Sequence, residues 1–517
     1  MTENRRIFLN VVATYGRSVY ALAIGIFTAR WALNALGQTD YGLVGVVGGL
    51  AGFVSFVNGL LSFSVSRFYA VSVGSQRNLA DKSAGVEDCR KWFNTALLIH
   101  TVMPVTLVII GYPIGEWAVR SFLTIPLNRI DACLWVWRFT CISCFIGMVS
   151  VPFNAMYGAK QDIAELSIYG FATSTLNAIF LYYMITHPGV WLARYAMWTC
   201  LISSVPVIIQ MIRSFCKYSE CRFVKRYLFD WWRIKQIFIF GAARFWTMLS
   251  NIVSGQGNAI LVNKYLGPEF NASMTLGNTV VSHTLTLSSA LTGAFAPAIM
   301  NAAGEKAVEK VHRLSYQLCR IGSLLVLVFA IPLALEVNEV LVLWLKMPPP
   351  YVSELVLAIL VDVVLERMSE GLYMPIIAFG DGMVRYSWWA GWCGMARFAI
   401  AWILLVSGLG IYGVCIALVV ARIVVVLMRL HMGKVLAGMP IRKWLVTVLY
   451  PIGLLTCCTL FAGLVSRLIE ASFCRIVLTT MICELMLLPG AWLLVLSREE
   501  KSFVVAKVRL LLRKFKR

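Results

Sequence analysis

The sequence predicts an all-α, polytopic membrane protein, and three observations carry that prediction. The first is composition. Of 517 residues, 59% are apolar and only 14% are charged, against about 45–50% and about 25% in soluble domains. The second is the length of the apolar runs, because a chain facing water cannot bury so many long ones. The third is the alternation of basic and nearly uncharged connectors between those runs. Only helices satisfy every backbone polar group inside one crossing segment of this length.

We read fourteen spans: 8–32, 41–66, 93–115, 133–157, 164–187, 190–212, 236–262, 270–298, 317–340, 353–378, 387–407, 411–432, 444–466 and 475–497. Most hold enough residues to cross a hydrocarbon core of ~30 Å at ~1.5 Å per residue. The first is too long for the apolar region of a signal peptide and has no small-residue cleavage site after it. It is expected to stay in the mature chain.

The chain carries 46 Lys and Arg against 25 Asp and Glu, a formal charge of +21. Connectors on one side, with both termini, hold thirty of the basic residues, whereas the other side holds five. Basic connectors stay in the cytoplasm, so both termini are expected there. This asymmetry accounts for the charge without nucleic acid. The tail from Ser497 interleaves Phe503, Val504 and Leu510–Leu512 with eight Lys and Arg residues, a pattern suited to a helix on an anionic membrane surface. The fourteen Cys fall mostly within apolar runs, including Cys141 and Cys144 as a CxxC. They read as small apolar residues, not as a disulfide framework or metal site. No metal and no cofactor is expected. The outward connectors are too short for the catalytic domain of a membrane glycosyltransferase or polymerase.

An internal repeat organises the chain. NALGQTDYG (Asn34–Gly42) is echoed by NKYLGPEFNA (Asn263–Ala272), and Gly37 precedes Gly74 by the same 37 residues that separate Gly267 from Gly304. Arg17 lies 20 residues before Gly37, and Arg244 lies 23 before Gly267. Pro152 and Ala155 are matched by Pro375 and Ala378, both at an offset of 223. Six spans per repeat make the two copies parallel. The expected plan is an N-lobe at 1–212, a basic cytoplasmic linker at 213–235 and a C-lobe at 236–433. Two extra helices at 434–497 and a basic amphipathic tail at 498–517 complete it.

The runs TARWALNALGQTDYGLVGVVGG, NGLLSFSVSRF, NKYLGPEFNASMTLGN, FAPAIM, LWLKMPPPY and LSREEKSF resemble, in order along nearly the whole chain, the bacterial polysaccharide flippases (Wzx-like, O-antigen type). These belong to the MOP superfamily, together with the lipid II flippases and the MATE exporters. The resemblance implies two six-helix lobes around a cavity that opens to each side in turn. It implies transport, not enzymatic chemistry, of an undecaprenyl-diphosphate-linked oligosaccharide across the bacterial inner membrane for lipopolysaccharide assembly. Membrane lipids, a polysaccharide polymerase and glycosyltransferases are the implied partners. Lipid II transport and MATE-like cation-coupled export remain alternatives. The first span departs from the MATE pattern, because it bears Arg17 and Arg30 where MATE exporters bear a cation-binding Asp.

A charge in the hydrocarbon costs about 2.5–3.5 kcal/mol on insertion scales, so it faces a cavity or a partner. Arg17 and Arg244 fall near mid-span at equivalent repeat positions. A guanidinium suits bidentate phosphate binding, so these two, with Arg30 nearer the outer end, are candidates for a diphosphate site. The competing reading pairs each Arg with a carboxylate or backbone carbonyls. In span ten, Asp362, Glu366 and Glu370 recur every four residues on one stripe, with Arg397 and Arg422 as candidate partners. Either this stripe couples transport to an ion or proton gradient, or it is an ion network that holds the C-lobe together. Glu484, His100 and His283 are isolated titratable groups in spans. Gly45, Gly48, Gly49 and Gly52 suggest close helix packing. Pro104, Pro206, Pro332 and Pro375 mark points where spans can bend.

Overall fold

The computed structural model describes residues 3–75, 82–160, 162–304, 307–378, 382–497 and 500–502, and within them the side chains of some helical residues are outside the described set. The described chain is helical and contains no strand. Ten of its helices are long and apolar enough to cross a membrane. The other expected spans are helical too: 41–66 begins in Glu3–Gly49 and continues after a turn at 50–51 into Gly52–Ser75, 236–262 runs from Trp231–Ile252 through a π-helical turn at Val253–Gly257 into Asn258–Leu266, and 270–298 and 353–378 lie within Pro268–Gly304 and Val352–Ala378. The charged stripe of the last, Asp362 to Glu370, is what lowers its apolar character. The tail at 503–517 lies outside the described residues. Pro104, Pro206, Pro332 and Pro375 sit inside helices that continue through them.

The chain divides into two compact units. The first holds Met1–Leu276 with Trp402–Ile411, and the second holds Gly277–Ala401 with Tyr412–Arg517.

In the first unit, the helix that starts at Glu3 turns a corner at Gly37, where φ is 78° and ψ is 168°. The repeat partner Gly267 has φ 101° and ψ 176°. An L-residue rarely adopts this region and glycine does so freely. The two copies of the motif therefore share a backbone conformation as well as letters. After the corner, Gly42, Gly45, Gly49 and Gly52 recur at three and four residues on one face. A methyl group at Gly42 would overlap the carbonyl of Pro268, one at Gly45 would press on Thr275, and those at Gly49 and Gly52 would meet Gln256. Gly48, read from the sequence as part of this set, has open space beside it. Gly42→Ala is therefore expected to cost about 2–3 kcal/mol, as overpacking against backbone does. Gly48→Ala should be neutral or gain up to ~1 kcal/mol from helix propensity. Thermal unfolding of the two purified variants measures the contrast, and equal melting temperatures would refute the packing account.

The 213–235 segment is docked on the same unit. Asn94, fully buried, donates to the carbonyls of Arg90 (2.9 Å) and Arg222 (3.0 Å) and accepts from the Val224 N–H at 2.8 Å. Tyr227 donates to Glu87 at 2.7 Å, and Arg233 pairs with Asp88 at 2.7 Å. Glu220, 3% exposed, receives Lys160. Burial pushes its carboxyl up, but Lys160 and a backbone N–H outweigh this and leave it below the ordinary carboxylate value.

In the second unit, the last two membrane helices share one core with the helix Val308–Leu335. Tyr316, Leu327 and Ile331 pack with Val448, Leu455 and Leu487. A buried ion cluster fastens one end. Arg475 donates to Glu336 through Nε (3.1 Å) and Nη2 (2.8 Å) and reaches Glu339 at 2.6 Å. Thr479 adds a hydrogen bond to Glu336 at 2.7 Å.

Candidate functional site

The cationic candidates stand on helices of the first unit. Arg17 is half-buried on the segment before the Gly37 corner. Its stem lies against Gly170, where an added Cβ would come within 2.5 Å of Arg17 Cδ. One turn later, Tyr20 meets Thr175 at 2.6 Å and packs on Phe171, ring centres 5.1 Å apart. These contacts fix the helix beside Ile163–Thr186. Among the described residues, no carboxylate pairs with Arg17 and none of their polar atoms hydrogen-bonds its guanidinium.

Twenty residues separate Arg17 from the corner at Gly37, which is ~30 Å of helix. Arg30 lies seven residues before the corner, beside Trp31, whose ring packs on Tyr182 at 5.8 Å. About 20 Å of helix separates Arg17 from Arg30, so the two would meet different parts of a ligand. The backbone of Arg244 is in the helix Trp231–Ile252, and its side chain lies outside the described residues, as does that of His283.

The carboxylate stripe lies in the second unit as a network of ion pairs. Arg422 holds Asp362 with both ends of its fork, at 2.8 Å and 3.0 Å, and also pairs with Glu366. Arg429 donates to Glu366 at 2.9 Å, to Tyr386 at 3.0 Å and to Ser369 at 3.0 Å. Arg367 pairs with Glu370, which also accepts from Thr292 at 2.9 Å. Arg397, expected as a partner of the stripe, forms no ion pair among the described residues, and its Nε is buried without an acceptor. The sequence reading missed Arg429. It lies near the basic end of span twelve, where an arginine reads as an interfacial anchor. A spacing of seven from Arg422 was the available signal, since it puts both on one helical face.

His100 is fully buried, with Nδ1 2.8 Å from the Ala96 carbonyl. That bond is local to its own helix. Glu484 makes no ion pair among the described residues.

No protein-family model matches the sequence, and no curated protein matches it. Solved structures do match the fold. One is described as the lipid II flippase MurJ in an inward closed conformation, with 12% identity, a TM-score of 0.67, and coverage of 94% of this chain and 98% of that one. Another is an inward-facing multidrug-resistance MATE transporter of the MOP superfamily, with 18% identity, a TM-score of 0.60, and coverage of 82% and 96%. A third is a MOP-superfamily transporter from Pyrococcus furiosus, described as having a binding pocket of reversed polarity, with 17% identity, a TM-score of 0.50, and coverage of 85% and 94%. The chain thus has the fold of MATE and MurJ transporters, with many membrane-crossing helices.

Proposed function

We propose that the protein is a flippase that carries an undecaprenyl-diphosphate-linked oligosaccharide from the inner to the outer leaflet of the bacterial inner membrane. The observation that carries this reading is Arg17, a guanidinium within a membrane helix that no described carboxylate neutralises. The arginines of the span-ten stripe show the contrast, because Arg367, Arg422 and Arg429 each hold a carboxylate. A cation left unpaired at that depth calls for an anionic ligand, and the diphosphate is the part of a lipid-linked sugar that water releases least willingly. Arg244, at the matching repeat position, is the proposed second grip, and Arg30 meets a more distant part of the ligand. The two parallel lobes would open in turn to each side, and the polyprenyl chain would stay in the bilayer. The span-ten stripe would couple this cycle to a gradient only if it can lose an ion pair, which the network opposes. A polymerase and glycosyltransferases would supply and consume the substrate.

Lipid II is the second reading, favoured by the 94% of this chain that the MurJ match covers. Proteoliposomes loaded with each lipid-linked substrate separate the two. The proposal expects protein-dependent appearance of the oligosaccharide lipid in the opposite leaflet, read by a membrane-impermeant lectin. Movement of lipid II alone, or of a cationic drug alone, would overturn it.

Orientation has its own test. Cysteine labelling at Lys346 and at the exposed Phe229, in a cysteine-free background, should report opposite sides, with Phe229 cytoplasmic. Labelling of both from one side would refute the topology.

A further inference from the structure

The linker at 213–235 crosses the first unit as a strap whose inner side is fixed. Arg90 donates to the Ser219 carbonyl at 3.0 Å, Asn94 accepts from the Val224 N–H at 2.8 Å, and Thr95 donates to the Tyr227 carbonyl at 3.2 Å. Tyr218 and Cys221 join a buried core with Trp92 and Phe93. Farther along, Trp232 and the Arg233 guanidinium both rest near the Trp92 ring, 5.9 Å and 5.1 Å from its centre. These anchors set the height of the strap. Asn94 and Thr95 stand at the start of the expected span 93–115, on a helix long and apolar enough to cross a membrane. The strap therefore runs where hydrocarbon gives way to headgroups. Its far end agrees, because the next expected span begins at 236.

The outer side of the strap is open. Phe223, Phe229 and Trp231 are each more than half exposed, and Arg222, Lys225 and Arg226 beside them are exposed too. Contiguous apolar exposure of this kind marks a surface that something covers. Arg213, Lys217 and Arg233 of the same linker pair with Glu165, Asp162 and Asp88. Arg222, Lys225 and Arg226 form no ion pair among the described residues. The inner side thus spends its charges on the protein, and the outer side presents three cations interleaved with three rings.

We propose that this outer side is a docking surface for anionic lipid headgroups of the bilayer that the chain spans. Arg222, Lys225 and Arg226 meet the phosphates, and Phe223, Phe229 and Trp231 lie among the glycerol and upper acyl groups. Charge complementarity and height select this occupant. Each Lys or Arg near an anionic membrane surface contributes about 1 kcal/mol, which is about fivefold. Aromatic rings with one polar edge favour the membrane–water boundary. An acidic soluble protein would match the cations but neither the rings nor their level. The surface uses neither Arg17 nor the span-ten stripe, so it holds whatever molecule is transported.

Photo-crosslinking of the purified full-length protein in nanodiscs tests the assignment. The probes are phosphatidylglycerol and phosphatidylcholine, each with a photoreactive group beside its headgroup, and crosslinked peptides are mapped by mass spectrometry. The peptide covering 222–231 should capture phosphatidylglycerol about tenfold more than phosphatidylcholine. Added salt should shrink that preference, because exposed charges are screened. Arg222→Gln, Lys225→Gln and Arg226→Gln combined should bring the two probes to equal capture on this peptide and leave capture elsewhere unchanged. Trp231→Ser should lower capture of both probes. Thermal unfolding at the wild-type temperature shows that the variants are folded, and the salt series on the wild-type protein makes the same test without a substitution. Equal capture of the two probes by the wild type, or capture of neither, would overturn the proposal. So would loss of capture on adding a soluble acidic peptide, which would assign the surface to a protein partner.

Discussion

Replacing Glu366 with Gln is expected to remove most of the folded protein. Glu366 takes Arg422 on one oxygen and Arg429 on the other, and Arg429 is 6% exposed. The amide keeps the shape of the carboxylate and loses its charge. Taking away one partner of a buried pair costs about 3–5 kcal/mol, because the other charge stays buried. Net stabilities are only about 5–15 kcal/mol, so a loss of this size is visible as yield. Fluorescence-detected size exclusion measures it directly. Adding Arg429→Gln should restore yield, since Arg422 keeps both of its bonds to Asp362. Adding Arg397→Gln should not, because Arg397 forms no ion pair with the stripe. A Glu366→Gln protein that folds at the wild-type level and loses gradient dependence would instead make the stripe a coupling site.

Arg17→Ala is expected to lower transport about a hundredfold or more while leaving the protein in the membrane at its normal level. No described residue depends on Arg17 as an ion-pair partner, so its removal strands no opposite charge. A bidentate guanidinium–phosphate contact combines two charge-assisted bonds, each worth about 1.5–3 kcal/mol, and about 1.4 kcal/mol is tenfold. Arg17→Lys should recover only part of the activity, because the ammonium keeps the charge and lacks the planar fork. Arg244→Ala should resemble Arg17→Ala if the two share the diphosphate. The readout is outer-leaflet oligosaccharide in proteoliposomes, normalised to protein. Full transport by Arg17→Ala would dispose of the site.

Much of the fold was legible because each membrane helix is a local property, a long apolar run between polar connectors. The corner at Gly37 and its echo at Gly267 were legible as letters, and the structure adds that both take a conformation suited to glycine. What the letters could not give was the rotation of one helix against another. Asp362, Glu366 and Glu370 were placed correctly on one stripe, yet their partners depended on which face of span twelve turns toward it. Arg429 therefore went unseen, and Arg397, expected as a partner, forms no ion pair with the stripe among the described residues. The cluster of Glu336, Glu339 and Arg475 joins residues about 140 apart, each unremarkable at the end of its own expected span. Gly48 looked like its neighbours, and only the packing shows that Gly42 is the crowded one.

Four arginines, Arg367, Arg397, Arg422 and Arg429, answer three carboxylates in the stripe of the second unit. Among the described residues the surplus is one positive charge, on Arg397, in the membrane helix Gly382–Leu404. Such a charge is subject to the transmembrane voltage, which is worth about 2.3 kcal/mol per elementary charge for each 100 mV of field crossed. Any rearrangement that moves Arg397 along the membrane normal is thereby electrically biased, in proportion to the fraction of the field it traverses. The interior-negative potential of a living cell favours the arrangement with Arg397 nearest the cytoplasm, so the resting balance between conformations becomes a function of how strongly the membrane is energised.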